Sequence, residues 1–349
     1  MKATRYLALA PIVTLALAGC GGSSGTPGST AAAADCSSAE VFCIGLVTDQ
    51  GKLDDKSFNQ SAWEGVQEAA KGISGAKTKA LETTDGKDYG PNIKQFTDAK
   101  YDVVVTVGYH LGTETTKAAA ANPNTKFIGV DQFQAATTAN LTGLVFVEDQ
   151  AGYMAGFLAG KLTKTNIVGQ VLGSKIPPVE KYALGFEAGA KAANPAVQVK
   201  TVYHPADGKE FNDSAWGAAE AAKQLDNKAD VIFGAGGKTG NGALGEVAKA
   251  PGAGTTIYCI GVDDDQWNTV PEAHPCLVSS AMKLIKQGTT DLVKAAKDGS
   301  IKGGNFTGGA ALAPYHDFDS KLPADVKTAV EKVVADLSSG ALKTGVSLG

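Results

Sequence analysis

The chain lacks the residue sets through which most hydrolases and metal proteins declare themselves. It has four histidines in 349 residues, and His110, His204, His274 and His316 are scattered with no nucleophile motif beside any of them. No Gly-x-Ser-x-Gly elbow joins an apolar run to a helix, and no His-Glu-x-x-His occurs, so the common serine-hydrolase and zinc-protease arrangements are excluded. Cys-x-x-Cys and clustered His ligands are also missing, which removes the usual zinc sites; no metal and no cofactor are expected. Positive charge is not in excess, because 32 Lys and Arg face 36 Asp and Glu, for a net charge of −4. Nucleic-acid affinity comes from neutralising phosphates, so nucleic acid is not an expected partner.

What is present begins with a leader. Residues 1–5 are short and basic and residues 6–18 apolar, a run too short for a permanent membrane helix, which needs about 20 apolar residues. Residues 1–19 therefore read as a signal peptide. They end in Leu17-Ala18-Gly19-Cys20, which resembles a bacterial lipobox and makes Cys20 the expected lipidation site. Acyl chains there anchor a protein at about 0.8 kcal/mol per buried methylene. Residues 20–40 are rich in Gly, Ser, Thr and Ala and predict a lipid-anchored flexible tether. Four more cysteines remain, an even number in an exported chain, which suggests two disulfides. The pairing most economical in sequence joins Cys36 to Cys43 and Cys259 to Cys276; free buried thiols are the alternative.

From residue 41 onward, apolar runs of strand length alternate with helical segments, which implies an α/β protein with parallel sheets. Residues 44–67 set the pattern: an apolar run ending in an acid, a polar loop, then an amphipathic helix opened by Phe58 and Asn59. Two runs, residues 127–131 and 260–263, both end in Gly-Val-Asp, a weak internal symmetry that predicts two similar lobes. Residues 41–148 are expected to form the first lobe, completed by about 277–306, and residues 149–276 the second, completed by about 307–349. The chain should cross between lobes more than once.

Ligands bind outside the carboxyl ends of such strands, so the acids there are the candidates for function. Asp49, Asp54 and Asp55 with Phe58 and Asn59 offer acceptors and a flat face, although Asp54 or Asp55 can equally cap the helix with Phe58 in the core. Asp131 and Asp263 end strands of opposite halves, where a cleft brings them together, and Lys283 is the natural cation to balance one of them. Residues 230–244 are glycine-rich but fail as a phosphate loop, because Ile232 stands where that motif needs glycine. A Gly-x-Gly-x-x-Gly match at Gly240, Gly242 and Gly245 is cheap in so glycine-rich a segment; a turn allowing close backbone approach is the better reading.

LVTDQGKLDDKSFNQSAWEGV, AGYMAGFLAGKL, GSKIPPVEKYALGFEAGAKAANP, IFGAGGKTGNGAL and IGVDDDQ together resemble the basic membrane protein family of ABC-transporter substrate-binding lipoproteins, which includes purine nucleoside receptors. The resemblance implies a two-lobed type I periplasmic-binding-protein fold holding a nucleoside in the cleft, with hinge closure. It implies that Asp49 and Asn59 line the site, Phe58 stacks on the base, and Asp131 meets the purine edge. Gly236 and Gly237 then border the pocket, and Asp263 with Lys283 takes ribose hydroxyls. A second stacking aromatic is expected from the other lobe, with Phe186, Phe233, Tyr182 and Trp267 as candidates. The expected protein is not an enzyme but a monomeric, lipid-anchored receptor on the extracytoplasmic face of the cell membrane, serving an ABC permease and its ATPase. So many carboxylates around one cation favour nucleosides over nucleotides. A receptor for a sugar or signalling molecule, a secreted nucleoside hydrolase and a surface antigen are the competing readings.

Overall fold

A computed structural model describes residues 36–38 and 40–348. The expected signal peptide, Cys20 and the tether as far as residue 35 lie outside the described residues. The first half runs β1 (Phe42–Val47), α1 (Phe58–Lys71), β2 (Ala76–Leu81), α2 (Tyr89–Asp98), β3 (Val103–Val107), α3 (Gly112–Ala121), β4 (Lys126–Val130) and β5 (Leu141–Phe146). The second runs α4 (Glu148–Leu162), β6 (Ile167–Leu172), α5 (Pro177–Ala193), β7 (Gln198–Tyr203), α6 (Ser214–Asp226), β8 (Val231–Ala235), α7 (Lys238–Val247), β9 (Tyr258–Asp263) and β10 (Leu277–Lys283). The chain ends with α8 (Ile285–Lys297), β11 (Gly304–Gly308), β12 (Ala310–Leu312) and α9 (Ala324–Ser339).

The strands form two six-stranded sheets, ordered β11-β5-β4-β3-β1-β2 and β12-β10-β9-β8-β6-β7. The first is parallel throughout; in the second, β12 alone is antiparallel, at the edge beside β10. β1 and β3 are buried along their whole length, as expected of central parallel strands covered by helices on both faces. β2 and β7 close one edge of each sheet and carry the exposed Lys77, Lys79 and Lys200, charges that discourage further strand pairing. Disulfides join Cys36 to Cys43 and Cys259 to Cys276.

The chain passes between the sheets after β5, after β10 and after β11. One expectation needs correction. The sequence places the completion of the first lobe at about residues 277–306, yet β10 (Leu277–Lys283) pairs with β9 in the second sheet, with Leu277 opposite Cys259. Its apolar pattern specifies a buried strand but not which sheet receives it; the Cys259–Cys276 bridge holds its start beside β9. Only α8 and β11 return to the first sheet, and β11 with its polar sequence Gly-Asn-Phe-Thr-Gly does not read as a strand.

Helices α4 and α5 pack backbone to backbone. Side chains added at Gly152, Gly156 and Gly160 would meet the carbonyls of Tyr182, Phe186 and Ala190, while Gly185 and Gly189 lie against the carbonyls of Asp149 and Tyr153. The spacing of four places these glycines on one face of each helix. Gly156→Val should therefore force the helices apart and lower stability by about 1–3 kcal/mol. Gly245→Ala in α7, where an added Cβ finds its nearest neighbour 3.9 Å away at Glu272, should leave stability unchanged or raise it. Denaturant unfolding of the two variants measures the contrast.

Candidate functional site

The carboxyl ends of both sheets converge on one cavity with about 540 Å³ of empty space, open solvent at its mouth included. Asp49, Phe58, Asn59, Asp131, Gly236, Gly237, Asp263 and Lys283 all line it, joined by Asp55, Tyr109, Tyr182 and Phe211. The eight residues singled out in the sequence thus lie together, four from the first lobe and four from the second.

Strand ends place most of them, while Phe58 and Asn59 open α1. Asp131 and Asp263 follow the Gly-Val of β4 and β9 and adopt left-handed backbone angles, φ of 60° and 65°, which aspartate tolerates better than most residues. Behind each, a glutamine side chain folds back over the strand glycine: Gln132 over Gly129 and Gln266 over Gly261. Neither glycine has room for a Cβ, which explains the recurrence of Gly-Val-Asp. Gly236 and Gly237 have φ of 136° and 55°, and a Cβ on Gly236 would stand 2.6 Å from the Gly173 nitrogen, so glycine is required there.

Lys283 Nζ is buried 2.6 Å from Asp131 Oδ2 and 3.8 Å from Glu148 Oε1. It also lies 5.0 Å from the ring centre of Phe58 and 5.5 Å from that of Tyr182, within cation–π range. Burial pulls its pKa down, but Asp131, Glu148 and Asp263 outweigh that and hold it above its ordinary value. Asp263 instead accepts a 2.7 Å hydrogen bond from Ser57 Oγ, and burial pushes its carboxyl up to about 6. Asp49 accepts from Gly51 N and Asn59 Nδ2 at 2.8 and 3.1 Å and is also raised by burial. On two residues that line the cavity, Asp131 Oδ1 and Asn59 Oδ1 are buried with no hydrogen-bond partner among the described residues, an expensive state for polar atoms.

The two open acids of the first loop separate. Asp55 accepts from the backbone nitrogens of Ser57, Asn59 and Gln60 at 2.9–3.1 Å and so caps α1. Burial still raises its carboxyl to about 7. Asp54 pairs with Lys238 of the second lobe at 2.8 Å.

Three of the four candidates for the second aromatic do not reach the cavity. Phe186 and Phe233 are fully buried and stack on each other at 5.3 Å in the second core, and Trp267 stacks against His274 and His316. Tyr182 does line the cavity, and so does Phe211, which sequence reasoning missed. A signal existed. Lys56–Trp63 and Lys209–Trp216 share the pattern Lys-x-Phe-Asn-x-Ser-Ala-Trp, and each copy sets its Phe on the cavity wall. Phe211 packs over Gly173, where a Cβ would stand 2.5 Å from the ring. Glu148 was also missed; it opens α4 just after the first crossover.

Two α/β lobes with a cavity between their sheet ends make up the fold of periplasmic solute-binding proteins. The fold is shared with a solute-binding protein of an ABC transporter system from Aeropyrum pernix K1 (TM-score 0.77, 20% identity, 86% of this chain and 92% of that one). A second such protein, from Conexibacter woesei, matches at TM-score 0.66 and 22% identity over 87% of this chain and 98% of its own. The chain belongs to the Bmp family, ABC transporter substrate-binding protein PnrA-like, which matches residues 44–308. It is 31% identical to the CD4+ T-cell-stimulating antigen of Listeria innocua over 98% of both chains. It is 29% identical to the ABC transporter nucleoside-binding protein BmpA of Lactococcus lactis over 84% of this chain and 86% of that one. It is 30% identical to basic membrane protein A of Borreliella burgdorferi over 78% and 76%. The family is one of substrate-binding proteins. No helix among the described residues is long and apolar enough to cross a membrane.

Burial raises Glu148 to about 7, with Lys283 and Lys181 opposing the rise and Asp131 adding to it. Between its ordinary 4.5 and 7, the folded chain keeps a proton that the unfolded chain has lost. The stability this contributes is complete below about 4.5 and drains away as pH rises through 7. Gln imitates the protonated acid and does not titrate. The melting temperature of the wild type should therefore fall relative to that of Glu148→Gln between pH 4.5 and 8; a constant difference across that range would contradict the raised pKa.

Proposed function

We propose that this chain is the lipid-anchored, extracytoplasmic binding component of an ABC importer, taking a nucleoside, with a purine base, in the cleft and delivering it to a membrane permease. The observation that carries the reading is the composition of the cavity wall. Phe58 from one lobe and Phe211 from the other offer flat faces, and the polar lining is rich in acceptors with a single ammonium, Lys283. A ring bearing amino or N–H donors on one side and hydroxyls on the other matches this set. The rings of Phe58 and Phe211 take the base, each stacking contact contributing about 1–3 kcal/mol. Asp131 Oδ1 and Asn59 Oδ1 accept from the base or from adjoining hydroxyls, satisfying atoms that are otherwise unpaired. Asp263 and Lys283 take ribose hydroxyls, Asp49 lines the same wall, and Gly236 and Gly237 let backbone come close. A 5′-phosphate would bring negative charge towards Asp49, Asp55, Asp131 and Asp263 with one lysine to offset it.

Thermal-shift and calorimetric titration should show stabilisation by inosine, guanosine or adenosine, and little by their monophosphates or by free sugars. Phe211→Ala should weaken nucleoside binding by about 1–3 kcal/mol. Asp263→Ala, which removes charge-assisted hydrogen bonds, should weaken it by at least about tenfold. An unchanged dissociation constant for Asp263→Ala would sink the assignment.

A further inference from the structure

Four consecutive residues of the loop between β1 and α1 each hold a partner in the second lobe. Asp54 Oδ1 pairs with Lys238 Nζ at 2.8 Å, and the Asp55 carbonyl accepts from Asn241 Nδ2 at 2.7 Å. The Lys56 carbonyl accepts from Gln266 Nε2 at 3.2 Å and Thr269 Oγ1 at 2.8 Å, and Ser57 Oγ donates to Asp263 Oδ2 at 2.7 Å. One turn into α1, Ser61 Oγ donates to Asp264 Oδ2 at 3.2 Å. Lys56 has a left-handed φ of 61°, an unfavourable conformation for lysine that persists where surroundings over-determine it; the two donors to its carbonyl supply that determination.

We propose that Asp54-Asp55-Lys56-Ser57 is a latch between the lobes, and that Asn241, Gln266 and Thr269 are positioning residues that set how long a ligand stays bound without touching it. Lys238, Asn241, Gln266 and Thr269 do not line the cavity. On its own side the latch is rigid, because the Asp55 carboxylate takes three backbone N–H groups at the start of α1. On the other side, the buried Gln266 accepts from Val262 N at 2.9 Å and donates to both Lys56 O and Asn241 Oδ1. One connected network therefore runs from the end of β9 through α7 to the first lobe. The Lys238–Asp54 pair is more exposed and adds little. The same tetrapeptide presents Phe58 and Asn59, so the latch engages as those two side chains reach the cavity. Groups that hold the lobes together without meeting the ligand act on its escape and not on its selection.

The ligand part of this proposal rests on the nucleoside reading; the lobe contact does not. In the full chain, Asn241→Ala combined with Thr269→Val should release inosine about tenfold faster in stopped-flow measurements. The ratio of inosine to guanosine dissociation constants should not change. Thr269→Val alone, which keeps the side-chain shape, should act in the same direction more weakly. Hydrogen exchange of the ligand-free chain should quicken in residues 54–61 and in 264–269, segments on opposite lobes. Unchanged release, a shifted inosine-to-guanosine ratio, or exchange that quickens only around the substituted positions would overturn the latch. Should the wild type bind no nucleoside, the functional reading falls, and the exchange measurement alone decides the lobe contact.

Discussion

A buried ammonium needs a carboxylate beside it, because an isolated charge in the interior costs several kcal/mol. Lys283 is the last residue of a strand in the second sheet, and Asp131, 2.6 Å away, directly follows a strand of the first. That pair is satisfied only when the carboxyl ends of the two sheets face each other across the cleft. Glu148, 3.8 Å from the same ammonium, begins the helix that follows the first crossover, and the second crossover starts immediately after Lys283. Glu148 and Lys283 therefore sit where the chain passes between lobes, while Asp131 closes a strand one step earlier. Phe58, Phe146 and Tyr182 stand around the ammonium with ring centres at 5.0–5.5 Å, within cation–π range. Cavity wall, lobe junction and buried charge are consequences of one constraint.

The two Gly-Val-Asp turns meet that constraint with the same local chemistry and different reach. Each has a strand glycine covered by a glutamine amide and an aspartate in left-handed conformation. Gln132 spends its donors inside its own lobe, on Thr106 and Gly108. Gln266 sends its donors to Asn241 and across to Lys56 in the first lobe. Two extra residues, Asp264 and Asp265, separate Asp263 from Gln266, whereas Gln132 follows Asp131 directly. The longer turn in the second lobe is what lets its glutamine reach the other lobe.

The alternation of apolar runs and helices made the α/β class legible, because covered parallel strands such as β1 and β3 are apolar at nearly every position. The acids at strand ends were legible for the same reason: an aspartate that closes a buried strand has few places to go except a cleft. Sheet membership was not, since the apolar pattern of residues 277–283 is the same whichever sheet receives them. Asp54 and Asp55 could not be told apart in sequence because both stand within reach of a helix start. Geometry separates them, giving one the backbone nitrogens of α1 and the other a lysine of the second lobe. Phe211 follows a polar stretch and no strand signal adjoins it, so only its repeated neighbourhood, shared with Phe58, marks it. Phe186 and Phe233 are candidates for the second stacking aromatic by residue type alone, but large aromatics are more often core than site, and here they stack on each other.

Electrostatics and shape then divide the work of recognition in the proposed reading. Burial raises the carboxyls of Asp49, Asp55 and Asp263 towards their protonated forms, so the cleft resists gathering its full negative charge. A neutral ligand with several donors relieves that resistance, because each donor does for a carboxylate what a proton does without adding charge. An anionic ligand deepens it. The aromatic faces of Phe58 and Phe211 select for a flat ring but are indifferent to its edge, since every base has a π-face. The edge is left to Asp131 and Asn59, whose buried unpaired acceptors penalise any ring that arrives without a donor. Selection by what a ligand must donate, and exclusion by charge, follow from the same set of acids that the lone lysine holds together.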